Sequence, residues 1–255
     1  MKIVITWILL IGMIAVNALA NILPINGYNT GQISSFYPNY FVPAGFTFSI
    51  WGIIYLLLIS YTISFTYFTI KKEQSVFLQQ YLTSINPLFW ITCILNASWI
   101  IAWHYLNIIL SVLIMLLFLG VLIKVFLITM DKGATLSVGK RFLLQLPFTI
   151  YLGWISVATI ANITALLVNK GWNGFGIDSI YWSAIMMLIA IALGLYFLFK
   201  YKIVGYSVVI AWALWGINAA QGNQKLLYQV SFSGMLFLVV VSIFISIKNQ
   251  FAQSN

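Results

Sequence analysis

The chain has 255 residues, of which 63% are apolar and only 12 Lys+Arg and 3 Asp+Glu carry a formal charge. A water-soluble globule has about a quarter of its residues charged, so that class is excluded and an integral membrane protein remains. The net charge of +9 requires no nucleic-acid partner, because basic residues in short loops set membrane topology and face the anionic headgroups of the lipid bilayer.

Uncharged runs set the number of spans. Residues 3–70 form one run of 68 and residues 74–123 another of 50, whereas a crossing takes about 20 helical residues, so each run holds two spans. The runs 142–169, 179–199, 203–224 and 226–247 are each one span long. Eight helices are predicted, at 3–22, 44–70, 87–104, 106–130, 142–168, 179–199, 203–221 and 226–247, an all-α polytopic transmembrane helix bundle. The apolar runs lack the period of two that a membrane barrel needs. Prolines punctuate these elements: Pro24 ends the first, Pro38 and Pro43 lie in or just after the first loop, Pro87 opens the third, and Pro147 sits in the opening turns of the fifth.

The first apolar run, with Lys2 before it and Ala18-Leu19-Ala20 inside it, also fits a cleavable signal peptide. Asn17 and Asn21, spaced i, i+4, favour a retained helix that hydrogen-bonds to a neighbour. Orientation follows from the basic residues. Lys2, Lys71, Lys72, Lys124, Lys132, Lys140, Arg141, Lys200, Lys202 and Lys248 fall on one side, Lys170 and Lys225 on the other. Ten against two across eight crossings predicts a plasma (inner) membrane protein with both termini cytoplasmic.

The chemistry-bearing residues are few. Cys93 is the only cysteine and His104 the only histidine, so neither an internal disulfide nor a metal site is expected. Glu73 and Asp131 are placed in loops and Asp178 at the start of the 179–199 helix, as its cap. No catalytic constellation forms, and neither an enzyme activity nor a cofactor is expected. No ionisable residue occupies the middle of a span, since Lys124 is close enough to the end of its helix to snorkel.

The spans are filled by rings instead: Trp 10, Tyr 14 and Phe 19. Phe48, Trp51 and Tyr55 recur at i, i+3, i+7; Asn96, Trp99 and Trp103 repeat that spacing; Pro147, Tyr151, Trp154, Ala158 and Asn162 form a third stripe. Lipid offers an Asn no partner, so the faces with Asn96 and Asn162 should turn inward and carry their indoles with them. Either these rings interlock as plain packing or they wall a cavity suited to a flat, apolar ligand with a few polar edges.

The run Phe41-Val42-Pro43-Ala44-Gly45-Phe46-Thr47-Phe48-Ser49-Ile50-Trp51-Gly52-Ile53-Ile54-Tyr55 resembles the entrance to the second helix in the TspO/MBR (tryptophan-rich sensory protein / translocator protein) family. Asn96-Ala97-Ser98-Trp99 resembles that family's third-helix Asn-x-x-Trp, and Pro147, Trp154 and Asn162 resemble its fifth-helix run. In this chain Pro43-Ala44 replaces paired prolines and Phe46 replaces a Trp. The resemblance covers residues 1–168 and implies a five-helix domain, followed at 169–255 by a three-helix extension. It further implies a sensory or transport role, often as a homodimer. The implied ligand is a porphyrin, another tetrapyrrole or a sterol-like molecule, in a pocket closed by the first loop, here 23–43. The expected ligand-binding set is Pro43, Phe46, Phe48, Trp51, Tyr55, Asn96, Trp99, Trp103, Pro147, Tyr151, Trp154 and Asn162. Two rivals stand beside this receptor or carrier: a permease for a neutral solute or lipid, and a light- or oxygen-dependent tetrapyrrole-degrading activity.

Overall fold

In the computed structural model, residues 1–71, 76–133 and 136–254 are described; Lys72 and Glu73 of the charge tally lie outside them. The described residues are helical and contain no strand. In chain order the helices are α1 (Lys2–Ile22), α2 (Thr30–Ser34), α3 (Ile50–Lys71), α4 (Val76–His104), α5 (Ile108–Gly133), α6 (Val138–Leu144), α7 (Leu146–Asn169), α8 (Ser179–Tyr196), α9 (Val204–Gln221) and α10 (Lys225–Ser254). Among the described residues, seven stretches, lying in or overlapping α1, α3, α4, α5, α7, α8 and α10, are long and apolar enough to cross a membrane. The protein is a multi-pass helical membrane protein.

The eighth expected span, 203–221, is the 18-residue α9, which does not reach the hydropathy of the other seven. Its burial explains the difference. Tyr206, Ser207, Val209, Ile210, Ala211, Ala213, Leu214, Gly216 and Ile217 are all inside. A helix shielded from lipid by its neighbours can carry polar groups that a lipid-facing helix cannot.

Two expected helix starts are corrected. Pro87 does not open a helix: α4 begins at Val76 and Pro87 lies inside it. The added turns bury Leu78, Tyr81, Leu82 and Ile85, an i, i+3, i+4, i+7 stripe whose polar intervening residues mask the helix from an apolarity count. The 142–168 span is instead split at Gln145, and Pro147 is the second residue of α7. A proline there lacks the N–H to continue α6 and its ring opposes the carbonyl four residues back, whereas a first helical turn accepts it.

The chain forms two compact units, one of Met1–Ile33 with Ser49–Ile155 and the other of Ser34–Phe48 with Ser156–Asn255. The division falls inside α7, ahead of the expected boundary at 168, and the first loop is shared between them.

In the first unit α1 buries Thr6, Leu10, Met13, Asn17 and Ala20, alternating steps of four and three that make one narrow seam. Its opposite side, with Val4, Ile8, Ile11 and Leu19, is exposed, the arrangement of a helix with lipid on one face. Thr6 Oγ1 accepts hydrogen bonds from Asn86 Nδ2 at 3.0 Å and Trp90 Nε1 at 2.8 Å, pinning α1 to α4 beside Pro87. Tyr61, Phe89 and Phe148 pack edge to face with centroids 4.8–5.9 Å apart, locking α3, α4 and α7.

The second unit is built on small residues. A Cβ on Gly194 would lie 3.0 Å from Leu238, and one on Gly234 would run into Ile191, so α8 and α10 approach closely, as small residues allow in membranes. Polar bonds add to this: Ser207 Oγ donates to the Gly194 carbonyl at 2.7 Å and Asn218 Nδ2 to Ser231 Oγ at 3.0 Å. Asp178 caps α8 as expected, accepting from Ile180 N at 3.0 Å.

Candidate functional site

Trp51 and Tyr55 stand one turn apart at the start of α3 and stack with centroids 5.7 Å apart. Three further rings surround Trp51: Trp99 of α4 at 6.5 Å, and Tyr151 and Trp154 of α7 at 6.0 and 6.2 Å, the last two edge-on. Trp103 stacks on Trp99 at 5.9 Å, and Phe118 of α5 meets Tyr151 at 5.2 Å. All these distances are in the range where aromatic pairs attract. Three stripes spread over about a hundred residues of chain thus converge on one indole. The rings are in mutual contact; Trp99, Trp103, Tyr151 and Trp154 are buried, while Trp51 and Tyr55 are half-buried.

Beneath the rings runs a chain of polar groups. Asn17 Nδ2 of α1 donates to Asn96 Oδ1 at 2.6 Å, and Asn96 Nδ2 donates to Tyr151 Oη at 2.7 Å. Three helices are joined at one buried amide, the interhelical role expected of Asn17. Asn21 instead turns to the loop, where its Oδ1 accepts from Thr30 N at 3.3 Å. The hydroxyl of Tyr55 is buried and has no hydrogen-bond partner among the described residues.

Of the twelve expected site residues, Trp51, Tyr55, Asn96, Trp99, Trp103, Tyr151 and Trp154 come together. Pro147 is buried at the start of α7, two turns from Trp154. Phe48 precedes α3, in the 3-10 turn Gly45–Ser49, and belongs to the second unit. Phe46 packs against Trp212 and Trp215 of α9 at 5.7 and 5.1 Å. Pro43 is half-buried in the same loop, and Asn162 is buried in the half of α7 belonging to the second unit. A cavity of about 390 Å³ lies in the second unit, and none of the twelve residues lines it.

The first loop carries a latch that no motif announced. His104 is fully buried. Its Nδ1 lies 3.2 Å from the Ile25 carbonyl and its Nε2 3.1 Å from Thr30 Oγ1. A carbonyl only accepts, so Nδ1 donates there, and in the neutral ring Nε2 accepts from the threonine hydroxyl. Asn26 Nδ2 donates to the His104 carbonyl at 3.1 Å and Trp103 Nε1 to the Thr30 carbonyl at 3.3 Å. Four bonds tie residues 25–30 to the end of α4. The later part of the loop joins the second unit: Ala44 N donates to the Gly216 carbonyl and Trp212 Nε1 to the Thr47 carbonyl, both at 2.9 Å.

A family model described as TSPO-like protein matches residues 3–246. The chain belongs to the TSPO-like family. The match runs through α8, α9 and most of α10 and so reaches well past residue 168. No curated protein and no solved structure gives a match.

Proposed function

We propose that this TSPO-like protein is a membrane receptor or carrier for a planar hydrophobic ligand of the porphyrin or tetrapyrrole kind, held at the Trp51 ring cluster. The observation that carries the reading is Trp51 itself, half-buried among four aromatic neighbours, with the unpartnered Tyr55 hydroxyl beside it. Buried polar groups normally have a partner. A flat ligand stacking on the open side of Trp51 with a polar edge toward Tyr55 supplies one. Among the described residues the Tyr61 hydroxyl also lacks a partner, but that ring is sealed against Phe89 and Phe148. Asn96 holds the walls of the site by fixing α1 and α7 against α4.

Titration of detergent-purified protein with protoporphyrin IX, read by tryptophan fluorescence, tests this. Saturable quenching is expected, with affinity reduced about 5- to 30-fold by Tyr55→Phe, the effect of one hydrogen bond of 1–2 kcal/mol. Quenching that never saturates, or that is unchanged when Trp51 and Trp154 are both made Phe, rejects the site.

A further inference from the structure

The cavity of the second unit has a different character from the ring cluster. One wall is a stripe on α7, Ile160, Ile163, Thr164 and Leu167, and the opposite wall is Ser179, Trp182, Ser183 and Met186 on α8. Both follow i, i+3, i+4, i+7, so the walls run along two helices for about 10 Å, two helical turns. Pro38, Phe41 and Trp172 also line it. The volume of about 390 Å³ is toward the small end of ligand sites.

Its polar side chains are mostly engaged locally. Asn39 bridges the Tyr37 carbonyl and Phe41 N at 2.8 and 2.9 Å, and Asn173 Oδ1 accepts from Phe175 N at 3.1 Å. Thr164 Oγ1 donates to the Ile160 carbonyl at 2.8 Å, and Trp182 Nε1 to the Gly174 carbonyl at 2.9 Å. Gly174 has φ +64° and an added Cβ would lie 3.1 Å from Trp182, so the turn that seats this indole requires glycine. Largely apolar walls with few spare donors hold water poorly and offer a polar-edged ring few partners.

We infer that this slot binds the hydrocarbon tail of a single-chain amphiphile, its headgroup at the 170–178 turn. The tail lies along the two aliphatic stripes. The turn joins the ends of two membrane spans, where Trp172 is partly exposed and Lys170 is exposed, the level at which indoles and basic residues meet headgroups.

The test uses the full chain in detergent with a diazirine-bearing palmitic acid, cross-links being mapped by peptide mass spectrometry. Expected are saturable cross-links in 160–168 and 179–186, displaced by unlabelled palmitate and reduced at least tenfold by Ile163→Trp. Val240→Trp, on the exposed side of α10, should leave them unchanged, as should the Trp51→Phe, Trp154→Phe pair, which separates this site from the ring cluster. Labelling that spreads over exposed faces without saturating overturns the inference, as does loss in the Trp51/Trp154 pair. The displacement measurement on the unaltered chain decides the matter if Ile163→Trp does not fold. Repeating it in nanodiscs with diazirine-labelled phosphatidylcholine distinguishes a bilayer lipid from a free fatty acid.

Discussion

Asn96 has the most demanding position of any single residue. Its carbonyl oxygen faces Asn17 and its amide nitrogen faces Tyr151, so one side chain satisfies groups on two other helices in a region with no water to replace it. Hydrogen bonds between membrane helices contribute about 0.6 kcal/mol on average and up to about 1.7. Asn96→Leu removes both and is expected to lower stability by about 1–2 kcal/mol, measured by unfolding in mixed SDS micelles. A loss below the error of the measurement would mean that Asn17 and Tyr151 find each other or other partners. Asn96 and Asn17 were legible as inward-facing because an amide has no place against lipid. The latch at His104 was not, since it depends on Ile25 and Thr30 reaching the end of a helix more than seventy residues away.

At the scale of elements, contact between loop and helix decides what local pattern leaves open. The segment Gly45–Ser49 reads as the start of a long helix by hydropathy, yet it forms a 3-10 turn whose Phe46 and Thr47 engage α9. Thr47 packs so closely on Gly216 that a Cβ at 216 would overlap its side chain. Gly216→Ala should therefore destabilise the fold by about 1–3 kcal/mol through overpacking. Thr47→Ala combined with it should restore part of that loss, and a thermal-unfolding double-mutant cycle reads the coupling. Additive effects would show that the two do not meet. The Trp212–Trp215 pair belongs to the same contact, and nothing in its sequence indicated Phe46 as its partner.

For the whole molecule the open quantity is the parity of crossings. Among the described residues seven helices qualify as spans by length and composition, and α9 makes an eighth only if burial compensates for its polar residues. Eight crossings would place both ends of the chain on one side, the side with Lys2 and Lys248, and the ten-to-two distribution of basic residues predicts that side to be cytoplasmic. Cys93 is the only cysteine and is buried, so single cysteines introduced near each end can be probed with an impermeant maleimide in a Cys93→Ala background. Equal protection at both ends in intact cells is expected. Labelling of one end alone would mean seven crossings, with α9 held inside the bundle without traversing it.

Membrane insertion, helical class and the inward faces of the Trp and Asn stripes were determined by sequence alone, because hydrocarbon imposes one rule on every residue: apolar outside, backbone satisfied within the helix. Tertiary structure decided the rest. It brought Trp51, Trp99, Tyr151 and Trp154 into contact, sent Phe46 to α9, divided the first loop between two units and opened the slot between α7 and α8. Each outcome is a choice among neighbours that are equally apolar. Hydropathy measures transfer from water and cannot rank such neighbours; the fit of rings, small residues and a few directed hydrogen bonds can.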